Sequence, residues 1–511
     1  MPAVFGYIGG ICILRWFFLA FTLDSLSDEA RNKSMRCSWC ELPFAPDAPA
    51  AFHALFAEAP AAFWLDSNRA GHPSTRWSFM GDAGGPPASV VTYNAATAQL
   101  TRHDGTSEPV GTGDLFAYLK AGLSAPAEPP PCPFVGGHVG WIGFEVQSAC
   151  GSTIRRSAAT PDALFIRAGR FIAIDHRAGR SYVVALAASG QESEAKAWVD
   201  ITQARLRDLP PYEPRRRGRG QPVVFHLDRD RQTYLADIEQ CLDWIGEGQS
   251  YQICLTNQFR CTADLDPLDL YCLLRRLNPA PFAAFIRWPG GAVLSASPER
   301  FLSVDKAGLV EAKPIKGTIR RAAHPQLDAA LAQSLRESEK DRAENLMIVD
   351  LLRNDIARVC QIGSVEVPSL MAVESFATVH QLVSTVQGRL RPDCSAIDLI
   401  QAAFPGGSMT GAPKLHTLKL IDRLERRARG IYSGALGWIG ADGAMDLSIV
   451  IRTIVAQSSR LSIGAGGGIV ADSQPEAEFE EMLLKARAPM QAITLAATGE
   501  IDERLPRIVG L

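Results

Sequence analysis

The stretch Lys313-Pro314-Ile315-Lys316-Gly317-Thr318-Ile319-Arg320-Arg321 places an amine between a rigid residue and a flexible one. Pro314 fixes its own φ and pushes Lys313 toward an extended conformation, while Gly317 lets the backbone pass close to a ligand. Lys316 is thereby held in place. An amine attacks carbon only when neutral, and freeing it at pH 7 from an ordinary pKa of ~10.4 costs roughly 4.6 kcal/mol unless burial or a neighbouring cation lowers that value. Taken alone, such a lysine reads as a surface residue in a basic turn. Its company elsewhere in the chain argues otherwise.

Glu299, directly after Ser297-Pro298 at a strand end, is placed to face a pocket, although on local grounds a surface glutamate paired with an arginine fits as well. Asp341 and Glu344 stand three apart in a helical stretch, and Glu478, Glu481 and Lys485 stand at i, i+3 and i+7 in another, so each set shares a face. Either face alone is the ordinary solvated kind. Converging, the two could hold a hard divalent ion such as Mg2+, which takes one or two carboxylates and completes its shell with substrate oxygens and water. Two glycine runs lie between these helices, Phe404 to Lys414 and Gly464 to Val470. The first nearly matches a phosphate-binding loop but has Ala412 where lysine should follow Gly411, and the second has Ile469 where a dinucleotide fingerprint needs its third glycine. Both are read as loops presenting backbone N–H groups to an anion, with Arg452 after a strand at Leu447 to Ile451 gripping a carboxylate.

The elements that must position these groups follow from periodicity. Strands are expected at Ala62 to Ser67, Arg76 to Gly81, Ala88 to Tyr93, Ser181 to Ala188, Tyr251 to Thr256, Phe282 to Arg287 and Ala292 to Ser297. Four glycines between Phe134 and Phe144 suggest close backbone approach within a sheet. Apolar spacing predicts a helix over Asp228 to Gly246, and one long helix or two abutting ones over Leu327 to Cys360.

The 511 residues suffice for one large or two ordinary domains, and 47% hydrophobic with 21% charged residues describes a soluble globular protein. A net charge of −3 argues against a nucleic-acid binder, and the run Arg215-Arg216-Arg217-Gly218-Arg219-Gly220 sits among prolines as a solvated linker. Eleven scattered cysteines fit a reducing compartment, and Cys37-Ser38-Trp39-Cys40 lacks the second pair that zinc requires. The apolar run Val4 to Leu23 is long enough to cross a bilayer, yet it carries Arg15 and no basic residue precedes it. A start at Met35 is the expectation, with a signal anchor as the alternative. The resulting plan is an apolar extension over 1–34, an amino-terminal region over 35–207, a Pro/Arg-rich linker over 208–222, a catalytic region over 223–495 and a tail over 496–511.

The motifs SPER at 297–300, PIKGT at 314–318, DRAENLMIVDLLRND at 341–355, HQLVSTVQG at 380–388, PGGSMTGAPK at 405–414 and AEFEEMLLKA at 477–486 together resemble the chorismate-utilising enzymes. Two positions sort that family. Anthranilate synthase large subunits have alanine where Lys316 stands, and salicylate and isochorismate synthases have lysine where Gln252 stands. Lys316 together with Gln252 resembles the aminodeoxychorismate synthase branch, component I.

The resemblance implies an α+β fold with two large facing antiparallel sheets, helices outside, and the active site between them. It implies Mg2+ on Glu344 and Glu481, with Asp341 and Glu478 in the outer shell, gripping the ring carboxylate of chorismate. The pyruvyl carboxylate would meet Arg452, Tyr432, Lys485 and the N–H groups of Gly466, Gly467 and Gly468. Lys316 would attack ring carbon 2 as Glu299 protonates the departing carbon 4 hydroxyl, and ammonia would then displace the lysine by adding at carbon 4. His380 and Ser408 match positions lining the ring. No Cys/His/Glu arrangement resembles a glutaminase, so a separate glutamine amidotransferase subunit would supply the ammonia. The resemblance further implies a cytoplasmic enzyme of p-aminobenzoate and folate biosynthesis with no nucleic-acid or membrane partner. Anthranilate synthase is the nearest rival reading, and a non-catalytic anion- or nucleotide-binding module is the rival of another class.

Overall fold

Alternating apolar residues along more than twenty short strands, with amphipathic helices between them, build two sheets that face each other. The computed structural model describes residues 35–67, 75–85, 88–103, 109–215, 222–375, 379–500 and 506–511. The apolar extension 1–34, the centre of the Pro/Arg linker at 216–221 and part of the tail at 501–505 lie outside the described residues. Among the described residues one sheet has 13 strands and the other 12. Pairing is antiparallel almost throughout, the exception being Phe225–Leu227 against Ile508–Val509.

Neither sheet belongs to one half of the chain. In the first, the block ending at Ala62–Asp66 joins the later block through Phe282–Trp288, with Phe63 opposite Ile286. In the second, Gly137–Ile142 joins Ala435–Gly440, with Val139 opposite Trp438. Each sheet therefore carries one seam between early and late sequence. On the other side of Gly137–Ile142, a Cβ on Gly140 would come 1.8 Å from the Leu164 carbonyl oxygen of Ala163–Ala168, which is the close approach the glycine-rich stretch suggested.

Between the sheets lies a core of Phe63, Phe79, Trp141, Ile166, Phe171, Ile286 and Trp438, drawn from both. The outer face of the first sheet is covered by helices including Arg231–Gly246, Pro267–Leu277 and Pro475–Thr498. That of the second is covered by Glu339–Ala357 and Ala396–Ala403. Arg231–Gly246 starts three residues later than periodicity suggested because the Asp230 side chain accepts from the Thr233 N–H and caps it there. Ser338, extended at ψ 109, ends one helix (Pro325–Glu337) and caps the next (Glu339–Ala357), so the Leu327 to Cys360 stretch is two abutting helices. Among the described residues no helix is long and apolar enough to cross a membrane, and the ten described cysteines are free thiols.

Candidate active site

Lys316 lies on the strand Ile315–Arg320, whose pairing with Val379–Arg389 slips between Ile315 and Thr318. The slip is centred on Gly317, where φ is 78° and a Cβ would stand 2.8 Å from Asp341 Cγ and from Leu335 Cδ1. Only glycine lets this strand lie so close to the helix bearing Asp341 and Glu344. The Lys316 Nζ then stands 3.6 Å from Glu344 Oε2, with the two side chains 14% and 12% exposed. Burial lowers the lysine pKa, but Glu344, Glu299 and Glu481 outweigh it and leave the amine above its ordinary value. In this state it is protonated.

Glu299 is buried at the turn between Gly291–Ser297 and Arg300–Val304. Burial pushes its carboxyl up to about 7, against the opposing pull of Lys316, a hydrogen bond with Ser408 and the charge of Lys485. A carboxyl poised there can hold a proton near neutrality and give it up, as a general acid must. The arginine beside it is occupied elsewhere, since Arg300 bonds Asp446 at 2.9 Å and Glu311 at 2.9 Å.

From the helix Pro475–Thr498, Glu481 pairs with Lys485 at 2.7 Å, and Lys485 also donates to the Gly466 carbonyl at 2.9 Å. Burial works to raise the Glu481 pKa, yet Lys485, Lys340 and Lys316 overcome it and hold the carboxylate ionised. Glu478 accepts from Ser473 at 2.7 Å and Lys340 at 3.1 Å. Glu344 and Glu481 both act on the Lys316 amine, so carboxylates from two helices converge on one place. Among the described residues no group of three His, Cys, Asp or Glu side chains forms a ready cage. Mg2+ needs only one or two protein carboxylates, and Glu344 and Glu481 are two that act on the same amine. Asp341 packs over Gly317, and Glu478 is tied to Ser473 and Lys340.

The run Gly464 to Val470 was expected as a loop and is instead the end of a strand, Arg460–Ile469, paired residue for residue with Gln252–Thr262. Its glycines serve closeness: a Cβ on Gly464 would fall 2.2 Å from Tyr432 Cγ, and one on Gly468 2.8 Å from Gln252 Cδ. Tyr432 is buried beside Gly464. Arg452, in the left-handed region at φ 54°, has its pKa depressed by burial, with Tyr432 and Glu481 pulling the other way. Gln252 is fully buried, and neither its Nε2 nor its Oε1 has a hydrogen-bond partner.

His380 is anchored by two protein partners. Its Nδ1 stands 2.7 Å from Ser375 Oγ and its Nε2 3.0 Å from Asp328 Oδ1, so both ring nitrogens are taken by the protein. Lys414, at the end of the phosphate-loop look-alike, bonds Asp355 at 2.6 Å and the Ala403 carbonyl at 2.7 Å, fastening the loop to a helix.

One pair escaped the sequence reading. Arg429 and Glu425, 1% and 2% exposed, bond at 2.7 Å. Arg429 also donates to the carbonyls of Met409 and Cys254 at 2.8 Å each, while Glu425 accepts from the Thr256 N–H and hydroxyl at 2.9 Å each. The pair thus ties the loop carrying Ser408 to the strand carrying Gln252. In sequence these residues sit in Glu425-Arg426-Arg427-Ala428-Arg429, which looks like a charged helix end.

The profile of the family described as chorismate binding enzyme matches residues 60–491. The aminodeoxychorismate synthase of Streptomyces pristinaespiralis is 46% identical over 469 residues, covering 90% of this chain, and this chain spans 65% of that relative's length. Aminodeoxychorismate synthase component 1 of Salmonella typhimurium is 38% identical, with 86% of this chain and 94% of that protein covered. The crystal structure of anthranilate synthase component I from Streptococcus pneumoniae superposes with a TM-score of 0.71 at 30% identity, covering 81% of this chain and 92% of that one.

Proposed function

The chain belongs to the chorismate-binding enzymes, and from that premise we propose that it converts chorismate and ammonia to 4-amino-4-deoxychorismate, with Mg2+ bound by Glu344 and Glu481. The observation that carries this reading is the Lys316 amine, buried between Glu344 and Glu299.

Chorismate is a dianion, and each carboxylate has its own receiver. The pyruvyl carboxylate meets Arg452, Tyr432, Lys485 and the glycine strand at Gly466, Gly467 and Gly468, while the ring carboxylate lies toward Glu344 and Glu481, with Asp341 and Glu478 behind them. Mg2+ bound at these glutamates supplies the positive charge that offsets the ring carboxylate. Once its ammonium has lost a proton to solvent, Lys316 forms a bond to ring carbon 2 with the freed electron pair, the double bonds shift, and the carbon 4 hydroxyl leaves as water with the proton that Glu299 donates. Ser408 orients Glu299 through their hydrogen bond. Ammonia then adds at carbon 4, the double bonds return, and the bond to Lys316 breaks with the pyruvyl ether intact. Gln252 closes that wall of the site with a neutral amide, where a lysine would activate water instead. His380 lines the ring, held in place by Ser375 and Asp328.

All these groups fall within the proposed catalytic region, 223–495. We further propose that the ammonia comes from a glutamine amidotransferase partner and that the enzyme serves p-aminobenzoate and folate synthesis in the cytoplasm. The test is to incubate the chain with chorismate, Mg2+ and ammonium and to analyse the products by mass spectrometry. An aminated product that retains the pyruvyl group is expected. Fluorescent anthranilate formed with release of pyruvate overturns the assignment.

A further inference from the structure

A cavity of about 1170 Å³ lies behind Tyr432, bordered by the segment 156–160, the turn 426–431 and the strands Gln252–Thr262, Thr453–Gln457 and Arg460–Ile469. None of Lys316, Glu299, Glu344, Arg452 or Lys485 lines it, and Tyr432 stands on the boundary with the site described above. Its wall is strongly basic. Arg156, Arg260, Arg426, Arg427, Arg429 and Arg460 line it, with Asp264 as the one acidic lining residue.

These arginines are not equally neutralised. Arg156 is bound in two places by Asp422, at 2.6 and 3.0 Å, and Arg429 is matched by Glu425. Asp228 is divided: its Oδ2 accepts from Arg260 at 2.9 Å and lies 3.6 Å from Arg427 Nε, too far for a hydrogen bond. Arg427, with 17% of its side chain exposed, therefore has Nε and Nη2 shut away from water with no acceptor for either. Such unmet donors on a buried cation are costly to leave. Burial depresses the Arg427 pKa; Glu425 and Asp228 pull it back up, while the nearby Arg229 and Arg429 press with burial. Arg426, held in the left-handed region at φ 52°, and Arg460 add charge with no carboxylate at ion-pair distance among the described residues.

We propose that this cavity binds a small metabolite through its carboxylate or phosphate oxygens, with Arg427 as the anchor and Arg426 and Arg460 at the rim. A planar guanidinium fork matches two oxygens of either group, and two such oxygens satisfy the two donors that the protein leaves open. The anchor engages by turning off Asp228, which keeps Arg260. The cavity is ample for a metabolite, since ligand sites commonly enclose about 300–1,000 Å³. The site is separate from the chorismate reading and does not depend on it.

The experiment is calorimetric titration of the full chain at constant ionic strength, with inorganic phosphate in one arm and succinate in the other. At least one probe is expected to bind saturably, one per chain, with or without saturating chorismate, and the better probe identifies the headgroup. Arg427→Gln should weaken that binding about tenfold or more, the loss of one charged fork. If Arg427→Gln does not fold, Arg426→Gln, exposed and outside the core, serves in its place with an expected loss of about threefold. Absence of saturable binding of either probe, displacement by chorismate, or unchanged affinity in the folded variant overturns the proposal.

Discussion

The Lys316 amine and the Glu344 carboxylate, 3.6 Å apart, are each other's counterion. The residue proposed to make the bond to the ring is thus held, before substrate arrives, by a residue proposed to hold the metal. Anything that engages Glu344 weakens the grip on the amine, so ligand capture and nucleophile release are joined through one contact.

Lys316→Ala removes the proposed nucleophile but few packing contacts. Amination at carbon 4 should fall by roughly a hundredfold or more. Chorismate affinity, measured by titration, should stay within about threefold of wild type. Full turnover in this variant would eliminate the covalent step.

Glu299 acts as an acid only while protonated, and its carboxyl is raised to about 7. The rate should be level below that pH and fall about tenfold per pH unit above it. Glu299→Gln should lose about 10²- to 10⁴-fold and lose this limb of the profile. The same shift has a stability consequence of definite sign. A folded-state pKa above the ordinary ~4.3 contributes stability that is complete below ~4.3 and is lost as pH rises through about 7. A melting series over that range checks it.

Glu344→Gln and Glu481→Gln should each raise the Mg2+ concentration for half-maximal rate by about tenfold or more, since each deletes one of two carboxylates. Titration of activity against Mg2+ reads this directly. Glu478→Gln, in the proposed outer shell, should shift it less. Equal shifts in all three would reassign the ligands.

Arg429→Gln leaves Glu425 buried without its cation and the Met409 and Cys254 carbonyls without their donor, and should destabilise the fold by about 3–5 kcal/mol in denaturant titration. Arg429→Lys restores the charge but not the fork and should recover only part of it.

Gly464→Ala places a methyl 2.2 Å from the Tyr432 ring. The ring must move, so KM for chorismate should rise by about tenfold with smaller change in melting temperature. An unchanged KM would take Tyr432 out of substrate binding.

The residues proposed to carry the chemistry stand out along the chain through their neighbours: Gly317 beside Lys316, Ser297-Pro298 before Glu299, helical spacing for Glu344 and Glu481. The facing sheets followed from the family resemblance rather than from alternation alone. The run Gly464 to Val470 misled, because glycine there makes room for Tyr432 and Gln252 across a sheet, and that crowding is invisible along the chain. Arg429 and Glu425 were illegible for a related reason. Their four-residue spacing suits a solvated helix pair, and only the Cys254 and Met409 carbonyls, far off in sequence, show that the pair is interior.

The two seams, at Phe63 opposite Ile286 and Val139 opposite Trp438, decide what can be cut away. A truncated protein beginning after the linker would lack five strands of each pleated surface and offer two raw hydrogen-bonding edges, an invitation to aggregate. Neither segment is a portable module, and the catalytic groups acquire a rigid frame only once both ends of the polypeptide have been made.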